Sequence, residues 1–122
     1  MLQIAPDADI EREVDEKTDD AIYCANCGKL ITRGRWKLSL GGHEHVCTNP
    51  AGVTFRILCF TEAPGAASAG DLTDKFTWFV GYLWNFARCR GCGEHLGWRY
   101  CSDEDPPEFF GLIKPRLSSR PQ

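Results

Sequence analysis

The chain has no apolar run long enough to cross a bilayer as a helix, and Met1 to Asp20 lacks the basic start and apolar stretch of a secretion signal. The expectation is a protein that works in the cytoplasm with no membrane partner. Basic residues do not run together either: Lys29, Arg33, Arg35, Lys37, Arg88, Arg90 and Arg99 are scattered among apolar positions. That leaves no phosphate-binding stripe and no expectation of a nucleic-acid partner. The cysteines number seven, and an odd count without an export signal argues against a disulfide framework. No long segment keeps a helical period, which excludes a helical bundle.

What is present fits one domain. A chain of 122 residues buries roughly 65 to 70% of its unfolded surface, enough for one modest core. Its net charge of −3 is unevenly spread: residues 1–20 carry eight acids against Arg12 and Lys17, a net of −6, so the remainder is mildly basic at about +3. Residues 1–20 therefore read as a solvated acidic tail or a short exposed helix from Asp9, with an acidic interaction arm as the alternative. The expected divisions are this tail, a domain over residues 21–115, and a C-terminal tail over 116–122.

Spacing assigns four of the cysteines. Cys24 and Cys27 lie in CANCG, Cys89 and Cys92 in CRGCG. In each, the glycine after the second cysteine permits the tight turn that points two thiolates at one ion. Two such knuckles supply four sulfurs and close a tetrahedral site, so the expected cofactor is one structural Zn²⁺. A clip joining points about sixty residues apart makes metal binding part of folding. Cys59 ends an alternating segment in which Val53, Phe55, Ile57 and Cys59 share a face, and it reads as a buried core thiol. Cys47 and Cys101 have polar or charged neighbours and no evident base.

The rest reads as all-β. Arg35 to Leu40 alternates with Trp36, Leu38 and Leu40 inward, ending at Gly41-Gly42, and Thr48-Asn49-Pro50-Ala51-Gly52 is a turn signal. Ala63 to Gly70 is small and glycine-flanked and reads as a loop. Leu83 to Arg88 enters the second knuckle as a strand, His95 to Tyr100 leaves it as another, and Glu108 to Ile113 is the last. Two small antiparallel sheets packed together and pinned by the zinc site are predicted.

Three of the four tryptophans crowd into Phe76 to Tyr100. Trp36 reads as core. Trp78 and Trp84 bracket Gly81-Tyr82, and Trp98 follows Gly97. If the second knuckle is a hairpin, Trp84 and Trp98 can face each other across it while Trp78 folds over the same face. Three indoles can serve as core, but the phenylalanines already provide one, and glycines beside aromatic rings let a ligand approach.

Trp78-Phe-x-Gly-Tyr-x-Trp84, Cys89-x-x-Cys92 and His95-x-Gly-Trp98 with Tyr100, together with Asn49-Pro50 and the first knuckle, resemble the thalidomide-binding (CULT) domain of the cereblon family. The resemblance covers about residues 20 to 115. No Lon-like or adaptor-binding region accompanies it, so the chain is similar to the stand-alone bacterial members, with no ubiquitin ligase partner expected. The resemblance implies two antiparallel sheets meeting at a steep angle, the β-tent, and a ligand-binding cage of Trp78, Trp84 and Trp98 closed by Tyr100, where human-type members have Phe. It implies that cyclic imides enter edge-on. Their polar edge is paired by backbone at Phe76 and Trp78 with Asn49 nearby, avoiding a desolvation cost of about 1 to 3 kcal/mol per group. Human-type members have histidine where this chain has Phe76, so only the backbone contact carries over.

Two other readings have some support. CRGCGEHLG and Arg99-Tyr100-Cys101 are similar to parts of B-type methionine sulfoxide reductases, but RYC falls directly after the knuckle instead of well downstream, and the substrate motif is missing. Three indoles would also serve an aromatic cage for a methylated ammonium, which often has a carboxylate at its rim; no acid adjoins Trp78 or Trp84, and Glu94 and Asp74 qualify only if the fold brings them in. The expectation is a non-enzymatic binding module for glutarimide, succinimide, hydantoin or uracil-type rings and thalidomide-class drugs, the ring free or carried on a modified peptide or protein.

Overall fold

The computed structural model describes residues 20–120. Residues 1–19 of the tail expected over 1–20 lie outside them. The described strands are β1 (Ala21–Cys24), β2 (Leu30–Arg33), β3 (Glu44–Thr48), β4 (Thr54–Phe60), β5 (Ala66–Thr73), β6 (Leu83–Cys89), β7 (His95–Cys101), β8 (Glu108–Ile113) and β9 (Leu117–Ser118). They form two antiparallel sheets, a three-stranded one in the order β9-β1-β2 and a six-stranded one in the order β3-β4-β8-β7-β6-β5. This is the all-β, two-sheet architecture the short strands and turn residues predict. Among the described residues no helix is long and apolar enough to cross a membrane.

Alternation along β6 and β7 divides the interior in two. Ala87 and Cys89 pack with Cys24, Ile31, Phe60, Ala63, Ala66, Leu96, Phe110 and Leu112, a cluster that joins the small sheet to the large one. Trp98 and Tyr100 pack on the other side with Ile57, Cys59, Tyr82, Phe109 and Ile113, and Phe55, Trp78, Trp84 and Phe86 border that second cluster. Cys59 is fully buried, and burial pushes its thiol up to about 12, as suits a core thiol.

Several segments differ from their sequence reading. Residues 35–40 are not a strand: Gly34–Trp36 winds into a 3-10 turn, and Trp36 is only half-buried. The cause is Asp20, whose carboxylate accepts from the guanidinium groups of Arg33 (3.1 Å) and Arg35 (2.8 Å) and whose carbonyl accepts from Gly34 N–H. Asp20 is thereby part of the fold and not of the acidic tail. Residues 66–73 are a strand, not a loop, because Ala66, Ala67, Ser68 and Ala69 are small enough to lie flat beside Cys89, Arg88, Ala87 and Phe86 of β6. Strand β3 carried no signal of its own and is held by its pairing with β4. The fold also runs past residue 115: Leu117 pairs with Cys24, and Arg116 donates to the His95 carbonyl at 2.7 Å.

Candidate functional site

The two knuckles have the same backbone geometry. Gly28 and Gly93 sit at φ +83° and +82°, a region costly for any residue with a Cβ. Gly28 N–H donates to the Cys24 carbonyl at 2.8 Å and Gly93 N–H to that of Cys89 at 2.9 Å; the Cys24 and Cys89 amides close the turns onto the Lys29 and Glu94 carbonyls. The turns bring the sulfurs of Cys24, Cys27, Cys89 and Cys92 within 4.8 Å of one another. Cys24 to Cys92 is 3.7 Å and Cys27 to Cys89 3.6 Å. A tetrahedral ion with metal–sulfur bonds near 2.3 Å spaces its sulfurs about 3.8 Å apart, so the four fit one metal ion. Polar groups already address the sulfurs: Gly91 N–H lies 3.3 Å from Cys89 Sγ, and the Asn26 amide lies 3.3 Å from Cys92 Sγ and lowers that thiol to about 7. Burial moves Cys24 in the opposite direction.

The second feature is a cleft of about 380 Å³ on the other side of the same hairpin. It is lined by all six residues singled out from the sequence, Asn49, Phe76, Trp78, Trp84, Trp98 and Tyr100, joined by Pro50, Phe55, Phe86 and His95. Register explains the convergence. Trp84 stands opposite Tyr100 and Phe86 opposite Trp98, so Trp84 and Trp98 are diagonal neighbours and do not face each other directly. The rings form a chain of edge-to-face contacts: Trp84 to Phe86 at 5.4 Å, Phe86 to His95 at 5.3 Å, His95 to Trp98 at 5.1 Å and Trp98 to Trp78 at 4.9 Å. Phe55 closes against Trp98 at 5.2 Å.

Indole N–H groups fix the orientation. Trp78 Nε1–H donates to the Thr48 carbonyl (3.2 Å), tying the 74–82 loop to the β3–β4 turn. Trp84 Nε1–H donates to the Lys75 carbonyl (2.8 Å). With their polar handles occupied, both indoles offer apolar surface. Asn49 shapes the β3–β4 turn, its side chain accepting from Val53 N–H at 2.9 Å. His95 Nε2–H donates to the Gly97 carbonyl at 2.9 Å, and burial lowers the ring's basicity, disfavouring its charged form. Tyr100 stacks on Phe109 as the floor, and burial raises its phenol, which stays protonated. Gly97 is required by close approach, since a Cβ there would collide with the Gly111 carbonyl.

Phe76 is the one non-glycine residue at positive φ among the described residues, at +58°, and its side chain is 70% exposed. Neither its peptide N–H and C=O nor those of Trp78 hydrogen-bond to another described residue. Sequence reasoning missed Phe55, Phe86 and His95 as lining residues. The signal for Phe86 was there: it lies two residues from Trp84 on one strand face.

Fold and site together define an all-β domain whose four-cysteine cluster can hold a metal ion beside an aromatic cleft. Comparison with known proteins gives it a family. The chain is 34% identical to protein cereblon of Gallus gallus over 106 residues, covering 82% of this chain and 24% of that protein. It is 30% identical to the Xenopus tropicalis protein over 106 residues, and 34% to that of Danio rerio over 85 residues, which is 67% of this chain and 20% of the relative. The chain is a cereblon-like domain, and it spans about a quarter of the length of the first two relatives. No protein-family model matches it.

Proposed function

We propose that the cleft binds the ring of a cyclic imide or related ring amide, such as glutarimide, succinimide, hydantoin or a uracil-type ring, and that thalidomide-class drugs enter the same place. The observation that carries this is the pairing of an aromatic cleft with two lining residues, Phe76 and Trp78, whose peptide groups have no partner among the described residues. Its volume of about 380 Å³ is at the small end of the roughly 300 to 1,000 Å³ usual for ligand pockets. Indole faces bury the ring's methylenes, and the free peptide groups offer partners to the imide's acceptor–donor–acceptor edge, whose desolvation otherwise costs about 1 to 3 kcal/mol per group. The positive φ of Phe76 places strain of order 1 kcal/mol or more at the cleft's edge, where strained backbone serves a site.

In this reading the cysteine cluster holds a structural Zn²⁺: four thiolates fill a tetrahedral shell and leave no position for substrate. The role is binding without catalysis. Cys101, the residue a reductase reading needs, lies outside the cleft at the end of β7, and burial holds its thiol above the ordinary range. A cage for methylated ammonium is disfavoured because no aspartate or glutamate lines the cleft. The domain acts on a small ring, free or displayed on a modified peptide or protein.

Titrating with glutarimide while following tryptophan fluorescence tests the reading. A saturable change with glutarimide and none with trimethyl-lysine is expected; the reverse result assigns the cleft to a cation.

A further inference from the structure

The cleft-facing side of β6 continues beyond its aromatic residues. Trp84, Phe86 and Arg88 alternate onto one face, and their partners across the hairpin are Tyr100, Trp98 and His95, all of which line the cleft. Arg88 is therefore the next rung of the ladder that builds the wall. Its guanidinium carbon lies over the Phe86 ring, 5.8 Å from the centroid. Its one hydrogen bond among the described residues is a long donation to the Gly93 carbonyl at 3.4 Å. Arg33, Arg35, Arg56, Arg99, Lys114 and Arg116 each have a carboxylate partner among the described residues; Arg88, like Arg90, Arg120, Lys29, Lys37 and Lys75, has none, and of these it alone lies over a ring of the cleft wall. No acid lines the cleft, and Glu94, the carboxylate next to His95, is engaged by Arg116 at 3.9 Å.

We propose that Arg88 is a specificity-determining residue: it favours ring ligands whose substituent, leaving the cleft past Phe86 and His95, carries an anionic carboxylate or phosphate. The inference rests on the cyclic-imide reading of the cleft. A planar guanidinium held over an aromatic face keeps its N–H edge free to pair with such a group. Because Arg88 is exposed, the gain is that of a surface ion pair, about two- to fivefold in affinity, and it shrinks with salt.

The test uses two matched ligand pairs, each measured by calorimetry on wild type, Arg88→Gln and Arg88→Glu: a glutarimide bearing a succinamate arm against its terminal amide, and uridine 5′-phosphate against uridine. Wild type should prefer at least one anionic member by about two- to fivefold, Arg88→Gln should bring that ratio to about one, and Arg88→Glu should invert it. Unsubstituted glutarimide should bind all three proteins alike. A preference confined to the succinamate points to a carboxylate source, and one confined to the nucleotide to a phosphate source. Ratios unchanged by either substitution overturn the role of Arg88 while leaving ring binding intact. If wild type binds no ring at all, the cyclic-imide reading fails and this inference falls with it.

Discussion

At its tip the β6–β7 hairpin closes through Cys89 to Glu94, where the amides of Cys89, Arg90, Gly91 and Gly93 each have a partner, Gly93 sits in the conformation only glycine adopts cheaply, and four sulfurs converge. At its other end the same hairpin meets the 74–82 loop, where Phe76 takes a positive φ and the peptide groups of Phe76 and Trp78 have no partner among the described residues. One end closes on its own residues and the other does not. The hairpin's own alternation connects them, since Ala87 and Cys89 face the metal side while Trp84 and Phe86 face the cleft. The closed end holds the two strands together, and the receptive end keeps a strained residue and peptide groups open to solvent or ligand.

The largest effect should come from opening the closed end. Structural zinc contributes apparent binding energies of about 10 to 16 kcal/mol in small zinc domains, against net domain stabilities of about 5 to 15 kcal/mol. Removing the metal with a chelator, or replacing Cys89 with serine, should unfold the whole domain, seen as lost strand signal in far-ultraviolet circular dichroism and restored in the wild type by adding zinc. Retention of the fold without metal would make the two ends independent.

Next in size is Trp98→Ala. Trp98 is only 7% exposed and touches Phe55, Trp78 and His95, so it belongs to the core as well as to the cleft. Truncating a buried aromatic of this size costs about 3 to 5 kcal/mol, and ring binding should be lost with it. Thermal denaturation with metal analysis separates the two ends: a large fall in melting temperature with one bound metal per chain in the folded fraction is expected.

Trp84→Ala should divide the roles more cleanly, because Trp84 is half-buried and sits at the edge of the second cluster. Binding of glutarimide should weaken by tenfold or more, an effect of about 1.4 kcal/mol or larger, while stability falls by less than in Trp98→Ala. Equal losses of stability in the two variants would mean that Trp84 is core and not wall.

These contrasts also show what was legible in the residues. The knuckles were, because metal chemistry is written locally, in four cysteines and the glycines after them. The convergence of six lining residues was legible as a set, since Trp84, Trp98 and Tyr100 lie on strands that the second knuckle joins. Their register was not: a bulge between Ala87 and Arg88 shifts the pairing, and its one local mark is Gly97, a glycine inside the opposite strand. Strand β5 was misread for a related reason, as alanines and serine have weak strand preference and become a strand only where β6 accepts small neighbours. The turn at Gly34–Trp36 depends on Asp20, more than a dozen residues before it, so the local alternation of Arg35 to Leu40 gave the wrong element.

The smallest expected effect tests the open end itself. Phe76→Gly removes a side chain that is mostly exposed and leaves the peptide groups in place. Relief of the positive φ gains about 1 to 2 kcal/mol, while the added freedom of glycine in the unfolded chain offsets about 0.4 to 1 kcal/mol of it. Melting temperature should therefore stay level or rise by a few degrees. If the ring is held by backbone at Phe76, glutarimide affinity should change only about two- to threefold, well under the 1.4 kcal/mol that a tenfold change represents. A tenfold or greater loss would show that the phenyl ring is a lid on the cleft. In that case the strain at Phe76 serves to present its side chain, and the contrast between the two ends of the hairpin would be one of side-chain placement and not of unpaired backbone.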